Sequence, residues 1–244
     1  MLSVLDLFDL ERSSWSVEEA AQALGLPTST AYRYVSSLSR YGMLARHGAA
    51  RYVLGPTIIR YDRQLRLTDP LITAARGEMD TLAALRPGET VVFLCRLIGR
   101  QVMCVHQAVV GDPGFATSYE RGRLMPLYAG SASKVILAHL PSRHTRAMYD
   151  REPAAFAGAA LGETWTEVKS RLRALRSGEI VVTSGEIDPG MRGLSAPVTD
   201  EAGIVAASLS IAGRDTVMDP AAIAKLVGPL RASANQILGR VPLY

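Results

Sequence analysis

The chain has 244 residues, 48% hydrophobic and 20% charged, with a formal net charge of +4 and two cysteines. That length and composition fill two proper cores and exclude a disordered chain. No apolar run nears the roughly 20 residues that span a bilayer, and the apolar start carries Asp6 and Asp9 where a signal peptide has no acids, so a cytoplasmic protein with no membrane partner is expected.

Met1–Asp9 reads as a first helix with Leu2, Leu5 and Leu7 or Phe8 facing inward. Ser16 is a good N-cap and Glu19, three residues on, completes a capping box. Val17, Ala20, Ala21 and Leu24 recur at helical spacing, Gly25 supplies a left-handed stop, and Pro27 prevents continuation. Thr28 or Ser29 then opens a second helix with Ala31, Val35 and Leu38 inward. Its other face offers Thr28, Ser29, Thr30, Tyr32 and Arg33, hydrogen-bonding groups that fit a major groove.

A helix pair with a polar face is by itself ambiguous, and the neighbouring residues decide it. Leu44–Arg46 and Arg51–Leu54 flank His47-Gly48-Ala49-Ala50, a hairpin with an exposed tip, which is a wing. From Thr28 to Arg66 seven arginines stand against Asp62 alone, whereas residues 1–27 carry Arg12 against five acids. Basic charge therefore lies on the recognition helix, on Arg46 and Arg51 of the wing, and just beyond, where phosphates would be.

Pro56–Leu67 reads as a polar helix leading out of this domain, and Asp69-Pro70 breaks it. Leu71–Leu85 returns to helical period. Thr90–Leu97 and Gln101–Gln107 form a predicted hairpin around Gly99-Arg100 that sets Cys95 opposite Cys104. A loop of small residues, Gly122–Ser133, leads into a helix over Lys134–Leu140, and Pro141-Ser142 begins another. Thr164–Glu167 is a second capping box. Glu179–Val182, Leu194–Val198 and Gly203–Ala212 read as strands, the last two joined by a turn at Thr199–Gly203. Asp219-Pro220 caps a last helix that ends near Leu238-Gly239. A helical front and a mixed remainder make an α+β protein, divided as a winged helix-turn-helix (1–62), a linker helix (63–79) and an α/β domain (80–244).

The histidines His47, His106, His139 and His144 lack metal-ligand spacing, so neither metal nor cofactor is expected. Cys95 and Cys104 read as buried reduced thiols or as a redox pair. An enzymatic alternative would combine Ser131, Ser133, Lys134, His106 and His139 into a Ser/Lys or Ser/His site. Against it, the chain has no nucleophile elbow, phosphate loop or paired carboxylates.

Three stretches together resemble the isocitrate lyase regulator (IclR) family of bacterial transcription factors. They are the winged helix Ser16–Leu54 with its Gly55 exit, Arg123–Ala138, and Gly185–Gly190 followed by Leu194–Val198 and Ala207–Gly213. The resemblance implies a GAF-like effector-binding domain, a homodimer or homotetramer, and operator DNA binding controlled by a small-molecule effector, as repressor or activator. It places effector contacts at Ser131, Ala132, Thr183, Gly193, Ser210 and Ala212, with Tyr128, Met125, Met191 and Leu209 as walls. Thr183, Gly193 and Ala212 lack the polar groups that the family's small-keto-acid pockets carry. A bulkier, aromatic or longer-chain acid is expected, lying over Gly193 with its carboxylate at the amides of Ser131–Ser133.

Overall fold

Residues 1–199 and 203–238 are described by a computed structural model. In it the Ser16 hydroxyl accepts the Glu19 amide at 3.2 Å and the Glu19 carboxylate accepts the Ser16 amide at 2.8 Å. This reciprocal cap starts α1 (Val17–Leu24), and the backbone hydrogen bond holds the Glu19 carboxyl below the usual range. Gly25, at φ 63°, ends the helix as expected, and the Leu26 amide closes back on the Ala21 carbonyl. In α2 (Thr28–Arg40), Ala31, Val35 and Leu38 are buried and meet Val4, Val17, Ala21 and Leu44 in one small core. The first segment differs from expectation. Leu2–Leu7 is a 3-10 helix, and its tighter turn buries Val4 while Leu2 stays 64% exposed.

The wing is β2 (Leu44–His47) and β3 (Arg51–Leu54), with His47 opposite Arg51 across Gly48-Ala49-Ala50. A two-residue strand, β1 (Trp15–Ser16), pairs with β3 and is too short to leave a sequence pattern. α3 (Pro56–Thr68) comes next. Asp69, extended at ψ 119° as a residue before proline must be, separates it from α4 (Pro70–Ala83). The chain divides there into two compact units, Met1–Asp69 and Pro70 onward. The segment 63–79 spans the end of α3 and the start of α4. α4 belongs to the second unit, where it buries Leu71, Ile72, Ala75 and Met79.

The second unit is built on one antiparallel sheet. β4 (Thr90–Ile98) and β5 (Gln101–Ala108) form the expected hairpin, with Cys95 opposite Cys104. β6 (Leu124–Pro126), β7 (Val181–Ser184), β8 (Met191–Thr199) and β9 (Val205–Arg214) complete the order β6-β5-β4-β9-β8-β7. β7 begins two residues later than read, because Glu179 sits at φ 59°, a left-handed turn no strand contains. The expected turn at 199–203 and the expected stop at Gly239 fall largely outside the described residues.

Strand alternation sorts the sheet into two faces. Leu194, Ala196 and Val198 with Leu209 and Ile211 pack on α4 and α9 (Pro220–Leu238), which starts where Asp219 accepts the Ala222 amide at 2.7 Å. On the other face Phe93 and Ala212 join α5 (Ser131–His139) and α8 (Trp165–Ser177). α5 starts at Ser131, three residues before the expected Lys134. α6 (Ser142–Arg151) was expected; α7 (Pro153–Gly158), which buries Phe156, was not. The α+β class stands.

Candidate DNA interface and effector cavity

The recognition face is an exposed surface of side chains left over by packing. Because Ala31, Val35 and Leu38 occupy the inward positions of α2, Thr28, Ser29, Tyr32 and Arg33 are turned outward, with Thr30 half-buried. Tyr32 is 61% exposed. Pro27 precedes the helix and no side chain caps it, so the positive end of the helix dipole lies beside the first of these groups. Arg33 and, on β2, Arg46 are exposed and form no salt bridge among the described residues. Arg51 departs from the expectation. Its guanidinium donates to the Ser14 hydroxyl at 2.9 Å and the Ser14 carbonyl at 2.7 Å, and lies 3.1 Å from the Glu19 carboxylate. It fastens β3 to the segment before α1.

In the second unit Ser131, Thr183, Gly193 and Ala212 do meet, around a cavity of about 30 Å³ that Phe93 and Tyr119 also line. Ser210 lies one layer below them. The Ser195 hydroxyl donates to Ser131 at 2.8 Å and stands 2.7 Å from Ser210, so Ser210 must donate to Ser195. All three hydroxyls are buried, and the Ser131 proton is the end of the chain that reaches the cavity. Ala132 is fully buried in the core instead of lining the space. Tyr128 lies elsewhere, donating to Glu152 at 3.0 Å with its ring 4.6 Å from Phe156. Of the other expected walls Met191 lines the cavity. Met125 is in the adjoining core, and Leu209, an odd residue of β9, faces the opposite layer.

The space over Gly193 is not vacant as the sequence implied. A Cβ there would stand 2.7 Å from the Ser131 hydroxyl oxygen, so glycine makes room for that serine. Gly130 has the same role beside Tyr119. With φ 80°, it admits the phenol to a point where a Cβ would clash with it. Tyr119 stacks on Phe93 at 4.9 Å, and its hydroxyl is 3.3 Å from both the Ala129 carbonyl and the Ser133 hydroxyl. Burial pushes its pKa well up, so it is a neutral donor at any physiological pH.

Glu186 and Asp188, in the turn from Gly185 to Gly190, line this space. Glu186 accepts from the Lys134 ammonium at 2.7 Å and the Gly130 amide at 2.9 Å. The start of α5, expected to hold a ligand carboxylate, thus already meets one belonging to the protein. Asp188 accepts from Thr117 and Ser118. Ser195 was findable, since it shares a strand face with Gly193 two residues away. Thr117, Ser118 and Tyr119 were not, because they lie in an irregular stretch after β5 with no period to read.

The arrangement also disposes of the Ser/Lys reading. Lys134 directs its Nζ to Glu186 at 2.7 Å and to the Ala159 carbonyl at 3.0 Å, and not to Ser131. His139 spends Nδ1 on the Val135 carbonyl at 2.8 Å.

An exposed recognition helix with a wing, in a chain that also carries a separate sheet domain with a small polar cavity, defines a two-domain transcriptional regulator of the winged-helix class. Residues 67–238 match the family described as Bacterial transcriptional regulator IclR C-terminal, and residues 1–48 match the IclR helix-turn-helix domain. The chain belongs to the IclR family. The HTH-type transcriptional regulator KipR of Bacillus subtilis is 23% identical over 98% of this chain and 94% of its own length. An IclR transcriptional regulator from Alicyclobacillus acidocaldarius has a similar fold, with a TM-score of 0.78 at 24% identity, covering 97% and 95% of the two chains. An IclR homolog from Microbacterium hydrocarbonoxydans, complexed with 4-hydroxybenzoate, gives 0.70 at 20% identity over 98% and 96%. Relatives are named as transcriptional regulators, and the chain is a regulator rather than an enzyme. Among the described residues no helix is long and apolar enough to cross a membrane.

Proposed function

We propose that the protein reads operator DNA with α2 and the wing, and that an aromatic or longer-chain organic acid bound in the second unit alters its DNA affinity. In this reading Thr28, Ser29, Thr30, Tyr32 and Arg33 reach base edges and nearby phosphates, and Arg46 meets phosphate. Arg51 acts by positioning the wing. Ser131, Thr183, Gly193 and Ala212 surround the effector, with the Ser131–Ser195–Ser210 chain offering a neutral donor.

The observation that carries the effector half is the convergence of residues from α5, β7, β8 and β9 on one cavity. At about 30 Å³ it has room for a water or two and none for an acid. Effector binding therefore requires the surrounding segments to move, and that is what a regulator needs. A ligand shifts an equilibrium only through unequal affinity for two arrangements. The complex of the Microbacterium homolog makes 4-hydroxybenzoate the first acid to try. Regulation by a homodimer or homotetramer, each copy presenting one recognition helix, fits a DNA site with two half-sites.

The test is fluorescence anisotropy on duplex DNA selected from a random pool, titrated with 4-hydroxybenzoate and a panel of aliphatic and aromatic acids, with light scattering for the oligomeric state. An acid that raises the melting temperature and moves DNA affinity supports the reading. Acids that stabilise the protein without moving DNA affinity sink it.

A further inference from the structure

The turn from Gly185 to Gly190 is held by two carboxylates of different chemistry, besides the Asp215 amide that donates to the Gly190 carbonyl at 2.9 Å. Glu186 holds an ammonium, that of Lys134, and the helix-start amide of Gly130. Asp188 instead accepts from three uncharged donors: the Thr117 hydroxyl at 3.2 Å, the Ser118 amide at 2.9 Å and the Ser118 hydroxyl at 2.6 Å. Beyond Asp188 lies an outer cleft of about 370 Å³, walled by Phe115, Met191 and Arg214 among others. Asp188 and Met191 line both spaces, so this turn is the partition between them. The outer cleft falls in the size range of ligand pockets, about 300–1,000 Å³, and the inner cavity does not.

The two ties are not equally releasable. Letting go of Glu186 would strand Lys134, only 8% exposed, as a buried charge with one carbonyl for company. Letting go of Asp188 leaves neutral donors beside an open cleft, where water or another carboxylate can take them. Asp188 is the weaker tie.

We propose that Asp188 is a releasable latch occupying the position of the effector's carboxylate. An incoming organic acid takes the Thr117 and Ser118 donors, the turn swings on its Glu186 anchor, and inner cavity and outer cleft become one site. Arg214, on the cavity face of β9 and near the Phe115 ring at 5.9 Å, faces the anion as it arrives. This inference rests on the effector reading and adds to it the gate, the route and the groups that recognise the acid.

The test uses the full chain carrying Ala212→Cys, a position 7% exposed at the inner cavity. Labelling of the introduced thiol by methyl methanethiosulfonate is followed by mass spectrometry. Cys95 and Cys104, both fully buried, report any general loosening. Adding Asp188→Ala should speed labelling of the introduced thiol about tenfold, as an opening equilibrium does on losing a group of hydrogen bonds, and leave Cys95 and Cys104 unchanged. In that background 4-hydroxybenzoate should slow the labelling and neutral 4-hydroxybenzamide should not. Unchanged labelling, or equal acceleration at all three thiols, overturns the latch. Protection by acid and amide alike overturns the displacement of Asp188 by a carboxylate. If Asp188→Ala does not fold, Ser118→Ala, which removes one donor, should give a smaller acceleration of the same kind, and its absence has the same meaning. Failure of the effector reading looks different: the acid protects the introduced thiol and DNA affinity stays where it was.

Discussion

The outer face of α2 and the cavity beside α5, the two sites proposed for recognition, are made in opposite ways. On α2 the polar groups are turned out by a buried Ala31, Val35 and Leu38, and Arg33 finds no salt-bridge partner among the described residues. Around the cavity polar groups are paired with one another, some across long sequence separations: 52 residues for Lys134–Glu186 and 71 for Thr117–Asp188. An open site is ready for a large, rigid, charged partner. A small one whose walls are already paired admits a ligand only by breaking contacts of its own, and so can couple binding to shape.

The contrast fails most completely if the closed site does not need its whole unit. A fragment beginning at Pro70 should melt cooperatively, whereas one beginning after α4 should not. The shorter fragment lacks the buried Leu71, Ile72, Ala75, Met79 and Leu82, each worth about 2–5 kcal/mol for the large apolar ones. Calorimetry of both decides it, and a cooperative transition in the shorter fragment would refute the assignment of α4.

Glu186→Ala comes next. It leaves the buried Lys134 ammonium with the Ala159 carbonyl alone, and should lower stability in urea by about 2–4 kcal/mol, the partial exposure of Glu186 keeping it short of a fully buried pair. No change would show that the turn is not anchored there.

Arg33→Ala tests the open site. It should leave the melting temperature alone and remove about 1–3 kcal/mol of discrimination between selected and random DNA. Equal losses on both would make Arg33 a phosphate contact.

A smaller effect separates the two wing arginines. Arg46→Ala should reduce the log–log salt slope of DNA binding by about 0.9, the value of one phosphate contact. Arg51→Ala should act on stability instead, because its guanidinium is engaged by Ser14 and Glu19. Matching slope changes for both would show that Arg51 lets go of those partners on DNA.

The smallest is a pH effect in the closed unit. Burial holds His139 below its ordinary 6.5, with Nδ1–H donating to the Val135 carbonyl. The fold favours the neutral ring, so this contribution is complete above pH 6.5. It is lost as pH falls from the unfolded value through the depressed folded one. His139→Gln should flatten urea stability across that acid range, and an unaltered pH profile would assign the acid sensitivity to other groups.

The sequence by itself determined the winged helix nearly whole: both ends of α1, the inward triplet of α2, the wing, and the polar outer face of α2. Those features rest on interactions within a few residues, a cap, a stop and a 3.6-residue period, so they are written locally. It also determined the Cys95–Cys104 register, through a two-residue turn. Only the tertiary structure decided that Arg51 is an internal fastener, that Ser131 fills the space over Gly193, and that Tyr128 and Leu209 belong elsewhere. It likewise made Glu186 and Asp188 part of the cavity wall. A carboxylate's role depends on which donors the fold brings to it, and Lys134, Thr117 and Ser118 are brought from more than fifty residues away.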